Sequence, residues 1–369
     1  MAESFYKTLD SAKDIVDTRT LLHEAIPLTG TIVSGTYGTA NIKTFSHGMF
    51  DSVYDYPYLS SSANHIFDIT VGVGVNSSIY GTSNSQAAKK KNIYNQMAQT
   101  LMGYDHTGSI LRFDEDGDIA GGGTKLDNVF FLNFSRLLVK DEIKKGSFQL
   151  DLGVVPLHSE GGAVFASRLQ ITDASGSDGY LVNSPVGDYG ILYATASAGT
   201  GVLAANQSYA VGHLYYQAGV AVLSGSLFME ASDGGILNNS FNSVSMSNPG
   251  ESRTNLKFSD VLTGSTISIA ADNIRTRMYN LQFNNTTELN STIYFCRVNH
   301  NEYNYSTNPT YLNGSKLRVK TKSSDNPVAY ITTIGLYSDN NELMAVAKLS
   351  EPLKKDPSNE FTIRARLDY

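Results

Sequence analysis

The 369 residues carry 41% hydrophobic and 17% charged side chains, the balance of a folded protein with room for two or three domains and no need of a disulfide or metal staple. The net charge of −7 is mild and argues against a general nucleic-acid binder, and the single cysteine, Cys296, excludes an internal disulfide. No run of about 18 apolar residues marks a transmembrane helix, and MAESFYKTLDSAKDIV lacks the basic start and apolar core of a signal peptide, so synthesis in a cytoplasm is expected.

In chain order, SAKDIVDTRTLLHEAI reads as a helix, with Ile15, Arg19, Leu22 and Ile26 on one face, a capping-box-like start at Ser11 and Asp14, and Pro27 to stop it. TGTIVSGTYGTANIKTF reads as short strands and turns. HIFDITVGVGV alternates as a half-buried strand, His65, Phe67, Ile69, Val71, Val73 and Val75 on one face. Gly72 and Gly74 on the other would admit a second backbone closely. The strongest helix signal is residues 85–102: Tyr94, Met97, Ala98 and Leu101 keep helical spacing, Ser85 suits the N-cap and Gly103 the C-terminal stop. Lys89, Lys90 and Lys91 lie early in it, where the helix dipole disfavours cations, and read as a solvated face or a partner contact.

NVFFLNFSRLLVKDEI reads as a buried strand, with a helix as the alternative, and GSFQLDLGVV places Phe148, Leu150, Leu152 and Val154 on one face. The Gly/Ser-rich stretch 156–201 suggests short strands with long turns or an insertion, and YYQAGVAVLSGSLF a strand or strand pair. Beyond Ser252, TISIA, MYNLQFN, STIYFCRV, KLRVKTK, AYITTIGLY, ELMAVAKL and EFTIRARLDY all read as strands. The expected fold is mainly β (α+β), with β-sandwich or barrel-like domains and a few helices. Three segments are expected: an α+β domain at 1–155, a Gly/Ser-rich β region or insertion at 156–252, and a β-rich docking domain at 253–369.

Little in the chain reads as chemistry. Asp114, Asp116 and Asp118 have the odd-position spacing of a calcium loop, but Ile119 and Lys125 stand where an EF-hand needs Gly and Glu, which leaves a glycosidase-like carboxylate pair or a solvated turn. The seven histidines are scattered without metal-ligand spacing, and no nucleophile elbow, Walker loop or dinucleotide fingerprint is present. No catalytic, cofactor or metal residue is assigned, and an enzyme is not expected. The tyrosine clusters YDYPYL and NEYNYSTNPTY suit a protein interface or a sugar-binding surface.

The apolar hairpin PVAYITTIGLYSDNNELMAVAKLSEPLKK, residues 327–355, carries large side chains on both faces. Leu343, Ala345, Ala347 and Leu349 share one face of its second strand, Met344 and Val346 the other, so cover by its own domain and by a partner is expected. Its ITTIGLYSDNNELMAVAKLSEPLKK resembles a segment of phage tail-fibre collar and baseplate-associated proteins, matched at Ile331, Thr332, Ile334, Gly335, Leu336, Tyr337, Asp339, Glu342, Leu343, Ala345, Ala347 and Pro352. NIYNQMAQTLMGYD, FFLNFSRLLVKDEIKKGSF, YYQAGVAVLSGSLF and VNHNEYNYSTNPTY are similar to blocks of virion proteins of large tailed phages.

The resemblance implies a structural subunit of a tailed-phage virion, in the tail or baseplate, mediating assembly contacts and fibre attachment. A neck or head–tail connector and a carbohydrate-binding host-recognition module are the alternatives. It also implies assembly in the bacterial host cytoplasm, several copies around a symmetry axis, and other virion proteins as partners. No membrane, nucleic acid or cofactor is expected. The interface candidates are Ile331, Ile334, Leu336, Tyr337, Leu343, Met344 and Val346, with Lys89, Lys90 and Lys91.

Overall fold

The computed structural model describes residues 6–26, 39–117, 123–135, 138, 142–154, 165–176, 178–199, 201–204, 208–238, 266–306, 312–313, 316–317, 324 and 326–368. Its strands are β1 (Ile15–Ile26), β2 (Ile42–Thr44), β3 (Asp51–Tyr54), β4 (His65–Val73), β5 (Asn128–Asn133), β6 (Glu142–Ile143), β7 (Gln149–Gly153), β8 (Arg168–Thr172), β9 (Leu181–Ser184), β10 (Gly187–Ala198), β11 (Tyr209–Tyr215), β12 (Val220–Ser224), β13 (Met278–Val298), β14 (Leu312–Asn313), β15 (Lys316–Leu317), β16 (Ala329–Tyr337), β17 (Leu343–Lys355) and β18 (Phe361–Asp368). Helix α1 (Ser85–Leu101) lies between β4 and β5, and α2 (Ile267–Arg277) runs directly into β13. The mainly β expectation is borne out.

The chain divides into two compact units, Leu22–Thr287 and a second made of Met1–Leu21 with Glu288–Tyr369. These boundaries differ from those of the three expected segments. The described strands of 156–252 are no insertion: β8, β10, β11 and β12 are consecutive members of the main sheet.

In the larger unit the first part of β13 leads the order β13-β7-β8-β10-β11-β12-β5-β4-β3-β2, with antiparallel pairing throughout. Alternation sends Leu150, Leu152, Leu169, Ile171, Leu192, Leu214, Leu223, Leu132 and Ile69 into one core. Phe134, just past β5, lies 5.6 Å in ring centroids from Phe283 of β13 and 5.9 Å from Phe67 of β4. In a flat sheet β5 and β13 would stand about 29 Å apart at the usual strand spacing, so the sheet curls and the phenylalanines meet inside it. Helix α2 fills the same concave side through Ala270, Ala271 and Ile274, and Ser268 Oγ donates to Asp51 Oδ1 of β3 at 2.9 Å.

The TISIA strand expectation is thereby corrected. Ile267, Ala270, Ala271 and Ile274 keep helical spacing, Thr266 caps the Ile269 N–H at 3.2 Å, and Arg275 and Arg277 sit in the last turn, where the dipole favours cations.

On the convex side α1 lies across β4, and the glycines of β4 do what their position suggested. A Cβ at Gly72 would stand 3.1 Å from the Tyr94 Cα and 2.7 Å from the Phe131 ring. Tyr94, Ala98 and Leu101 are buried as expected, Gly103 ends the helix at φ +81°, and the N-cap is Asn84 rather than Ser85, its side chain accepting from the Ala87 N–H at 2.6 Å.

In the smaller unit β1 and β18 flank residues 291–298 of β13, and the β18 register runs from Ser291↔Asp368 to Val298↔Phe361. The N-terminal helix expectation is corrected here too: residues 11–14 form a turn and the chain continues as β1. β-Branched Ile15, Val16, Thr18 and Thr20 favour a strand once a partner exists. The long β13 is that partner, its Phe295 N–H bonding the Asp14 carbonyl at 2.8 Å and Thr292 Oγ1 donating to Asp17 Oδ1 at 2.7 Å. β16 and β17 form a separate two-stranded sheet.

Candidate docking surface

The β16–β17 register pairs Ile334 with Ala347, Gly335 with Val346, Leu336 with Ala345 and Tyr337 with Leu343. The step from Ala345 to Leu343 leaves Met344 as the extra residue of a bulge. A bulge sets two residues of one strand against one of the other and breaks the alternation there. Leu343 and Met344 are therefore both exposed, at 53% and 71%, beside Val346 at 52% and Tyr337 at 44%. On the opposite face Ile331, Ile334, Leu336, Ala345, Ala347 and Leu349 are half-buried.

The expected interface candidates thus split into two groups. Tyr337, Leu343, Met344 and Val346 are exposed, while Ile331, Ile334 and Leu336 are half-buried on the other face. The grouping of Leu343 with Ala345 is corrected by the bulge.

The outward face has a defined shape. Gly335 leaves the space that the Tyr337 ring and Leu343 occupy: a Cβ there would lie 2.9 Å from Tyr337 Cε2 and 3.2 Å from Leu343 Cδ1. Tyr6, 47% exposed, adds its ring to Tyr337 at 4.8 Å between centroids. No local sequence pattern ties Tyr6 to a hairpin so far along the chain. The turn is tight: Ser338 N–H bonds the Glu342 carbonyl at 2.9 Å, and Asn341, a residue that tolerates the left-handed region, sits at φ +63°. At the far end Lys355 is fully buried, its Nζ donating to the His300 carbonyl at 3.2 Å, Asn304 Oδ1 at 2.7 Å and the Asp356 carbonyl at 2.9 Å. That clamp fixes the end of β17 on the 300–304 loop.

The lysine run is a correction. Lys90 is 0% exposed inside the larger unit, where burial pulls its ammonium down to about 8. Lys89 donates to the His47 carbonyl at 2.8 Å, and Lys91 donates to the Thr82 carbonyl at 2.9 Å and lies 4.7 Å over the Tyr80 ring. These side chains tie flanking loops to α1 and do not form a free basic patch.

The acidic loop is structural as well. Asp114 is 1% exposed and ion-paired with Lys125, and its carbonyl meets Nε2 of fully buried His213. Asp114 is enclosed and its side chain hydrogen-bonds that of exposed Asp116, so the two carboxyl groups touch rather than stand about 5 Å or more apart as a glycosidase pair does. Asp118 lies outside the described residues, as do the last residues of KLRVKTK. His213 lies tilted against the Tyr189 ring at 5.2 Å between centroids and contacts the Tyr215 hydroxyl at 3.2 Å, a polar layer under the loop.

Among the described residues no group of three or more His, Cys, Asp or Glu is placed to hold a metal, and no helix is long and apolar enough to cross a membrane. An open cavity of about 360 Å³ beside α1 is lined by Val75, Tyr94, Asn95, Ser109, Ile110 and Arg112, but the Arg112 guanidinium is already held by Asp127 at 3.0 and 3.1 Å. No family model, curated protein or solved structure matches the chain.

Proposed function

We propose that the chain is a structural subunit of a tailed-phage virion, placed in the tail or baseplate, and that it docks to a neighbouring virion protein through the outward face of the β16–β17 hairpin. The observation that carries the reading is the cluster of Tyr337, Leu343, Met344 and Val346, four large side chains each more than two-fifths exposed on one rigidly shaped face. An isolated two-stranded hairpin is marginal in water, and a large side chain gains about 1.5–3 kcal/mol when fully buried. A neighbour seated on this face would supply that burial.

The resemblance of residues 331–355 to collar and baseplate-associated segments supplies the particle and the place within it. Several copies around a symmetry axis, with fibre attachment at the docked face, complete the reading. Immunogold labelling of intact virions with antibody to this chain tests it. Gold at the tail or baseplate is expected, and gold confined to the capsid shell would overturn the assignment.

A further inference from the structure

A strand at the edge of a sheet presents a row of unpaired backbone N–H and C=O groups, and folded proteins blunt such edges with charge, proline, bulges or short length. Among the described residues the open edges of this chain follow that rule with one exception. The edge strands β2, β6, β9, β14 and β15 have four residues or fewer. β1 carries exposed Asp17 and Arg19, and β18 carries exposed Arg364, Arg366 and Asp368. β17 holds Lys348, Glu351 and Pro352. It also takes most of the extra residues of its ladder, Met344 and residues 349–352, against Thr332 alone on β16.

β16 has none of these devices. Its sequence AYITTIGLY contains no charge and no proline, and its nine residues extend about 30 Å at the usual rise. β17 lies along one side of it, and among the described residues no strand lies along the other. Tyr330 is 59% exposed, and Thr332, Thr333 and Tyr337 are exposed as well.

Strand addition at such an edge takes a segment whose backbone completes the ladder and whose side chains do not repel those of the edge. β16 of a second copy meets both conditions. Laid antiparallel on itself, each residue faces a neutral one whatever the register, so no like charges meet. Ile331, Thr332, Thr333 and Ile334 are β-branched and Tyr330 and Tyr337 aromatic, the types that pair best across strands. The other long open edges, β1, β17 and β18, would each bring charged side chains to the seam. Two hairpins joined in this way form a four-stranded sheet, whereas each alone is a marginal two-stranded one.

We propose that β16 is a dimerisation strand, through which two copies of this chain pair antiparallel about a two-fold axis. The pairing is isologous and closes at two copies. It uses the backbone edge of the hairpin and leaves Leu343, Met344 and Val346 of β17 free for a neighbouring protein, so it does not depend on the assembly reading.

Sedimentation velocity on the full chain, with hydrogen exchange of the segment 329–337, tests this. A dimer is expected at concentrations up to about 100 μM, with amide protection in β16 rising as the dimer forms. Thr333→Lys gives the edge the charge it lacks and brings a lysine from each copy to the seam. It should weaken association by about tenfold or more and remove the concentration-dependent protection. Thr332→Lys, also at an exposed position, decides the matter if Thr333→Lys does not fold. Val346→Asp should dimerise as the parent does, which separates failure of edge pairing from failure of docking by the outward face. A parent that stays monomeric, a dimer without added protection in β16, a dimer that survives in a folded lysine variant, or one that Val346→Asp abolishes would overturn the proposal.

Discussion

The curled sheet of the larger unit and the β16–β17 hairpin of the smaller one are built from equally apolar strands, yet they end in opposite states. In the sheet, Phe67, Phe130, Phe134 and Phe148 are at most 2% exposed, because curling and α2 close the concave side and α1 covers much of the other. In the hairpin, Met344 and Val346 remain open. Among the described residues of the smaller unit, the buried apolar ones are few and partly small: Ile293, Val298, Ala329 and Ala365. One unit completes its own core, whereas the other keeps apolar area in reserve. A strand's composition therefore says that cover is needed, and the architecture says who provides it.

The largest effect is expected inside the sheet. Phe134→Ala removes the ring that contacts Phe67, Phe148 and Phe283. A loss of about 3–5 kcal/mol is expected from the cavity it leaves, read from urea denaturation. A loss under about 1 kcal/mol would mean that the curl does not depend on this cluster.

Next in size is pH dependence. Burial lowers His213 from its ordinary 6.5 to about 4, so the unfolded chain takes the proton first. Stability then falls by about 3 kcal/mol as pH drops from about 6.5 to about 4. Asp173 works the other way. Burial raises it from 3.8 to about 6, despite bonds from the Gly146 and Phe148 N–H groups and the Tyr216 hydroxyl. There the folded state takes the proton first, and stability rises by a similar amount as pH falls from about 6 to about 4. The parent protein should therefore show a shallow profile and Asp173→Asn a steeper loss on acidification. Equal slopes for the two between pH about 4.5 and 7 would refute the opposition of the two groups.

The two faces of the hairpin should respond differently to the same substitution. Leu336→Asp, on the half-buried face, should cost about 1–3 kcal/mol because it places a carboxylate against apolar neighbours. Val346→Asp, on the exposed face, should change stability by less than about 0.5 kcal/mol while removing the chain from assembled particles. Equal costs at the two positions, measured by thermal unfolding, would show that the faces are not distinct. Retention of Val346→Asp in purified particles would free the outward face of the docking role.

Much was legible before folding. Strict alternation marked β4, β7 and β18, helical spacing marked α1, and the hairpin with its two apolar faces stood out in residues 327–355. Among the site residues, Tyr337, Leu343, Met344 and Val346 could be named from pattern, although the outward turn of Leu343 depends on a bulge that no period reveals. Periodicity reports the choices a segment makes against its nearest neighbours in the chain, and those choices are local.

What tertiary structure decided is everything that needed a distant partner. Residues 15–26 carry a helix-like period but become β1, and the residues of TISIA enter α2, because β13 offers one an edge and the curled sheet offers the other a concave seat. Lys90 reads as surface and is buried, and Asp151 and Asn280, far apart in sequence, meet only through strand register. Pairing between remote strands is set by the burial available to the whole sheet, a quantity that no short window of sequence contains.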